Sequence, residues 1–140
     1  MDVHKLIIVD DDPDLLFVLQ TRMESYGFQT YTFTSVEEAL ENISSINPEL
    51  VLLDLGFAEA DGTAFLWHLK DYIEPGARLP QVIVISALNN QEIIDFAMEL
   101  GAAAYVVKPY DEMSLRTTIS DHLPSENMIL FDSDDVHAVS

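Results

Sequence analysis

The sequence predicts a single α/β domain built on a five-stranded parallel sheet with helices on both faces. Three observations lead there. Short runs of Val, Ile and Leu alternate with longer stretches of helical periodicity, the pattern of repeated βαβ units. Several of those runs are apolar at every position, as strands buried on both faces of a parallel sheet require. The chain has 140 residues, of which 49% are hydrophobic and 22% charged, enough for one sizeable core and too little for two domains.

The elements follow in order. The first strand is Leu6 to Val9. Asp12 and Pro13 then supply an N-cap and a first-turn proline, Leu15, Leu16, Leu19 and Met23 recur at helical spacing, and Gly27 stops the helix. The second strand is Phe28 to Phe33. Ser35-Val36-Glu37-Glu38 has the form of a capping box opening a second helix, which ends before Asn47-Pro48. Leu50 to Leu53 is the third strand and Thr63 to Tyr72 the third helix. Val82 to Ile85 is the fourth strand, followed by a helix from Gln91 to Leu100 with Gly101 just past its end. The fifth strand is Ala104 to Val107, and the last helix starts after Asp111 and fades before Pro124. Residues 1–123 are thus read as the domain. Residues 124–140 carry Glu126, Asp132, Asp134 and Asp135 with no Lys or Arg, an acidic tail or the start of a linker, interrupted by the apolar Met128 to Phe131.

Charge and composition narrow the function classes. Six Lys plus Arg against 25 Asp plus Glu give a formal charge of −19, which repels phosphate backbones and anionic lipid surfaces alike. No direct nucleic-acid or membrane partner is expected. With no Cys there is no disulfide framework, thiol nucleophile or Cys-ligated metal, so any metal must be held by oxygen or His. The early apolar run is too short for a signal-peptide core, and a cytoplasmic location is expected.

In a doubly wound parallel sheet, ligands bind beyond the carboxyl ends of the strands. Asp10 and Asp11 end the first strand, Asp54 the third and Ser86 the fourth, and Lys108 follows the fifth. Crowded carboxylates repel one another unless a cation sits among them, and a hard, oxygen-loving ion such as Mg2+ fits that need. A carboxylate at Asp54 is then a candidate nucleophile on phosphorus, with Lys108 offsetting the added charge and the Ser86 hydroxyl bonding a phosphoryl oxygen. Each residue also has an ordinary structural role: Asp12 is better explained as an N-cap than as a ligand, a Lys before Pro is usually solvated, and a Ser can satisfy a strand end. The joint pattern, an acid pair, a single acid, a hydroxyl and a Lys-Pro on successive strand ends, outweighs the separate explanations.

At these residues the sequence resembles the receiver domain of two-component response regulators. The resemblance is carried by Ile7 to Pro13, by Val51 to Leu55 followed by Asp61-Gly62, by Val84-Ile85-Ser86-Ala87, and by Gly101 to Pro109, and it covers about residues 4–123. It implies a flavodoxin-like sheet of order 2-1-3-4-5 with five helices. It also implies that Asp54 is the phosphoacceptor and that Asp10, Asp11, Asp54 and the backbone carbonyl of Gly56 hold Mg2+. Lys108, Ser86 and Ala87 would bind the phosphoryl group, Ser86 and Tyr105 would form the switch, and the Lys108-Pro109 bond would be cis. The implied partners are a sensor histidine kinase or histidine phosphotransfer protein, meeting the first helix and the loop around Tyr110, and a downstream effector.

Some positions depart from the family pattern. Ala58 stands where a proline is usual. Gly56 and Leu88, two residues after the phosphoacceptor and the switch hydroxyl, carry no group to orient a hydrolytic water, so slow autodephosphorylation is expected. Ala102, Ala103 and Ala104, with Arg116 as the lone base of the last helix, argue against the charged dimer face common in transcription-factor relatives. His4, His68, His122 and His137 have no metal-ligand spacing. Two other functions fit the sequence less well. An Asp-nucleophile phosphatase needs a second Asp where Gly56 stands, and a phosphorylation-independent interaction module has no use for mutually repelling carboxylates.

Overall fold

The computed structural model describes residues 4–54 and 59–123. Its strands are β1 (Lys5–Val9), β2 (Gln29–Phe33), β3 (Leu50–Asp54), β4 (Gln81–Ser86) and β5 (Ala104–Val107), all parallel, in spatial order β2-β1-β3-β4-β5. The helices are α1 (Pro13–Ser25), α2 (Val36–Ile46), α3 (Glu59–His68), α4 (Gln91–Glu99) and α5 (Glu112–Asp121). The predicted architecture and strand order are both present.

Alternation along the strands divides the core between the two faces. Leu6, Ile8, Leu50, Leu52, Ile83 and Ile85 join Leu16, Leu19 and Met23 of α1 and Leu115 and Ile119 of α5. Ile7, Val9, Val51, Leu53, Val82 and Val84 join Ala39, Leu40 and Ile43 of α2, Phe65 and Leu66 of α3 and Ala97 of α4. These strand residues are at most 2% exposed. Their unbroken apolar runs are therefore the direct trace of burial on both faces.

Most boundaries have local chemical causes. Asp12 accepts from the N–H groups of Asp14 (2.9 Å) and Leu15 (3.4 Å), as an N-cap should. Ser35 Oγ accepts from Glu38 N–H at 3.2 Å, and Asp111 Oδ1 from Ser114 N–H at 2.8 Å. At the end of α2, Asn47 takes the left-handed conformation (φ 53°) that a short polar side chain tolerates.

Several boundaries differ from the sequence expectation. The third helix begins at Glu59 rather than Thr63, because Glu59 and Ala60 are strong helix formers that extend an existing nucleus cheaply. It is α-helical only to His68. Leu69–Tyr72 tighten into a 3-10 turn closed by an Ile73 N–H to Lys70 O bond of 3.3 Å. Phe28 lies before β2, since its N–H is used by Met23 O at the end of α1 (3.2 Å). The third and fourth strands run one residue further than their apolar runs, so Asp54 and Ser86 are part of the sheet itself. The apolar Met128 to Phe131, with the rest of 124–140, lies outside the described residues.

Leu52 sits in the middle of the sheet with 1% exposure. Leu52→Ala should cost about 2 to 5 kcal/mol of stability. Urea unfolding checks it: the midpoint falls while the slope with denaturant stays unchanged.

Candidate functional site

The carboxyl edge of the sheet gathers residues from four separate strands. Val9 is in register with Leu53, Asp54 with Ile85 and Ser86 with Val107, so Asp10, Asp54, Ser86 and Lys108 reach the same rim. Asp10 and Asp54 are each 2% exposed and Ser86 is fully buried. Charge at this depth persists only where partners offset the loss of water.

The central interaction is an ion pair in which Lys108 Nζ donates to Asp54 Oδ2. Asp10 lies beside it. Its Oδ1 accepts from Asp12 N–H at 3.0 Å, while its Oδ2 is buried without a hydrogen-bond partner. Burial pushes the Asp10 carboxyl up to about 7, and the negative charge of Asp54 adds to the shift. The Asp12 amide and the Lys108 ammonium oppose it without cancelling it. One Lys therefore does not satisfy two buried acids.

This donor set fits a hard divalent cation: two carboxylates at one rim, one of them with an unpartnered buried oxygen. Among the described residues, no three His, Asp or Glu side chains converge closely enough to hold a metal ion by themselves. Asp11, also predicted as a ligand, is exposed. Gly56, whose carbonyl was expected to complete the set, lies outside the described residues, as does Ala58.

Ser86 and Tyr105 meet at an unpredicted place. Ser86 Oγ accepts from Leu88 N–H at 3.0 Å, and the Tyr105 hydroxyl donates to Leu88 O at 2.8 Å. Both predicted switch side chains thus hold the backbone of one residue in the loop between β4 and α4. Sequence inspection could not find this, because a backbone N–H and C=O have the same chemistry whatever side chain Leu88 carries. Ala87 lies in the same loop and is exposed. The Lys108-Pro109 peptide is cis, and Lys108 N–H donates to Ser86 O at 2.7 Å, tying the Lys loop to the serine strand.

A second polar cluster, also missed from the sequence, joins α1 to α5. The Tyr26 hydroxyl donates to Glu112 Oε2 at 2.6 Å, Arg22 Nε lies 3.6 Å from the same oxygen, and Arg116 stacks 4.9 Å from the Tyr26 ring centre. Tyr110 is half-buried against the same core face. The histidines take ordinary partners: His4 pairs with Glu49 (2.6 Å), His68 with Asp71 (3.4 Å) and His122 with Thr118 O (2.7 Å). His137 lies outside the described residues.

Residues 6–120 match the family model of the response regulator receiver domain. The chain belongs to that family. As a receiver domain it is 31% identical over 121 residues to the sporulation initiation phosphotransferase F of Bacillus subtilis, spanning 86% of this chain and 94% of that one. It is 29% identical to the regulatory protein AtoC of Escherichia coli, covering 90% of this chain but only 26% of that protein. Among solved structures, a CheY-like receiver domain protein from Methanospirillum hungatei superposes with a TM-score of 0.77 at 25% identity, over 91% of this chain and 98% of the other. A receiver domain from Methylobacillus flagellatus gives 0.74 at 23% identity, over 87% and 100%, a likeness of fold.

The buried acid pair sets a pH dependence. Asp10 in the folded receiver titrates at about 7, above its ordinary value of 3.8. Between those values the unfolded chain has lost a proton that the folded one keeps, so this contribution to stability is complete below 3.8 and declines as pH rises to about 7. Asp10→Asn should therefore melt higher than wild type in chelator, with the difference growing across that window and levelling off above it. Thermal melts of both proteins across pH check this, and a difference independent of pH would contradict it.

Proposed function

We propose that this receiver domain is a phosphoacceptor switch that takes a phosphoryl group onto Asp54 from the phosphohistidine of a sensor histidine kinase or phosphotransfer protein. The observation that carries the reading is Lys108 ion-paired to a buried Asp54 beside a buried Asp10 oxygen that lacks a hydrogen-bond partner. An Asp54 carboxylate oxygen attacks phosphorus, the new P–O bond forms as the donor's P–N bond breaks, and the imidazole leaves with the electron pair and takes up a proton. Lys108 is placed to stay with the incoming charge as it moves from carboxylate to phosphoryl oxygens. Asp10, Asp11, Asp54 and the Gly56 carbonyl would hold Mg2+, which supplies charge neutralisation at the transferring group.

The output follows from the contacts at Leu88. The Ser86 hydroxyl, which accepts from Leu88 N–H, has its own proton available for a phosphoryl oxygen on Asp54. Drawing Ser86 toward Asp54 weakens its hold on the β4–α4 loop, and the Tyr105 bond to Leu88 O is the second contact to respond. Phosphorylation then biases two arrangements of one surface that an effector reads.

The domain acts on its own carboxylate and on no separate substrate, and in that sense it is not an enzyme. We assign it residues 1–123, with 124–140 as an acidic tail or linker. We assign it to the cytoplasm. Among the described residues no helix is long and apolar enough to cross a membrane. The relative named as a sporulation phosphotransferase, matched over 94% of its length, supports a place in a relay.

Incubation with acetyl phosphate and Mg2+ followed by intact-mass measurement tests the proposal. Wild type should gain a single phosphoryl group and Asp54→Ala none; an unmodified, folded wild type would sink it. The adduct should outlast a minute, since the Leu88 side chain offers no group to orient water. Decay within seconds would overturn that second expectation.

A further inference from the structure

We infer that Met128 to Phe131, the apolar run of the acidic tail, docks in a cleft at the amino edge of the sheet, on the opposite rim from Asp54. The cleft has a volume of about 280 Å³ and lies between the end of α2 and the segment that enters β4. Ile43, Pro48, Ile73 and Pro80 give it an apolar floor, and the exposed Glu74 and Arg78 also line it. Both walls are preformed. Glu74-Pro75-Gly76-Ala77 closes a type II turn, with Ala77 N–H donating to Glu74 O at 2.9 Å and Gly76 at φ 85°, while Asn47 holds the left-handed end of α2. A volume near the lower limit of small-molecule clefts, roughly 300 Å³, suits a few apolar side chains. Tyr72 and Leu79, at either end of the same segment, leave further apolar surface exposed.

Charge selects an acidic occupant. Of the six Lys and Arg in the chain, three serve the carboxyl rim and the contact between α1 and α5: Lys108 pairs with Asp54, Arg22 lies against Glu112, and Arg116 stacks on Tyr26. The other three, Lys5, Lys70 and Arg78, have no ion-pair partner among the described residues, in a chain with 25 acids. All three lie toward the amino edge. Lys5 opens β1, Arg78 lines the cleft, and Lys70 belongs to the 3-10 turn that leads into it. Of the acids nearby, Glu49 is taken by His4, and Glu74 is the one that lines the cleft.

Connectivity selects the tail. α5 starts from the carboxyl rim, and its 10 residues, about 15 Å of helix, return through the depth of the sheet. Leu123 is consequently buried at the amino edge, in the core face it shares with Leu6 and Leu50. From there residues 124–127 reach roughly 13 Å when extended, against about 4.8 Å between neighbouring strands. Met128 to Phe131 can therefore pass the starts of β1 and β3 and enter the cleft. The composition matches in kind: an apolar Met-Ile-Leu-Phe for the floor, with Glu126 before it and Asp132, Asp134 and Asp135 after it for the unpaired bases. The tether also raises the local concentration of this segment to about the millimolar range, an advantage that a separate peptide of similar composition lacks. Docking on this rim leaves Asp54 and the β4–α4 loop uncovered, so the tail does not compete with phosphorylation.

The chain has no Cys, so a nitroxide attached through Ser133→Cys reports on the tail alone. In nuclear magnetic resonance spectra of the isotope-labelled full chain, the amide signals of Ser44, Asn47, Ala77 and Arg78 should broaden, and those of Ala87 and Leu88 at the other rim should not. High salt should weaken the effect by screening the charge pairs. Ile129→Ser combined with Leu130→Ser, and separately Arg78→Glu, should each abolish the broadening while the remaining spectrum stays that of the folded domain, since Arg78 is exposed and the tail lies outside the core. No broadening at the cleft, broadening spread evenly over the surface, or broadening untouched by either substitution would overturn the inference. Broadening that arises only when nitroxide-bearing and isotope-labelled chains are mixed would overturn it too, by marking a second copy as the occupant.

Discussion

Two carboxylates buried side by side at the end of a parallel sheet impose the constraint around which the site is arranged. Each of Asp10 and Asp54 is 2% exposed, so water does little to screen them, and their mutual repulsion must be met by protons or cations. The chain supplies one permanent cation there, Lys108, and it pairs with Asp54. Asp10 keeps an oxygen without a partner. Replacing such a cluster with apolar side chains would cost little or even stabilise the fold, so its presence marks a site that gives up stability for electrostatic readiness.

The rest of the molecule holds that arrangement in place. Strand residues buried on both faces fix the register that brings β1, β3, β4 and β5 to one rim. The cis Lys108-Pro109 peptide and the Lys108 N–H to Ser86 O bond anchor the loop that presents the ammonium. The same rim reaches the surface through Leu88, whose N–H and C=O are held by Ser86 and Tyr105 respectively. A charge added at the acid cluster and a contact altered at the surface are thus separated by two hydrogen bonds and one loop residue.

The faces away from this rim are organised by other forces. Between α1 and α5, a buried tyrosine, a glutamate and two arginines form a compact polar contact. The β2 strand itself is uncharged, and Glu24 of α1 accepts from Thr30 Oγ1 at its flank.

The sequence by itself determined the α/β class, the number of strands and most caps, because unbroken apolar runs, Asp-Pro and Ser-x-x-Glu patterns and helix-ending glycines act through local sterics and hydrogen bonds. It also marked Asp10, Asp11, Asp54, Ser86 and Lys108 as candidate site residues, since their order along successive strand ends is visible in one dimension, while the cis bond before Pro109 followed from the family resemblance alone. Only the tertiary structure decided how they divide. It buries Asp10 with Asp54, leaves Asp11 exposed, and joins Ser86 to Tyr105 through a backbone with no side-chain signature. The early start of α3 and its 3-10 end escaped the periodicity because helix propagation depends on a nucleus formed by later residues and the last turn tightens to i→i+3 bonding. Burial, pairing and backbone direction are properties of the assembled sheet, and they arise only when distant segments share one low-dielectric neighbourhood.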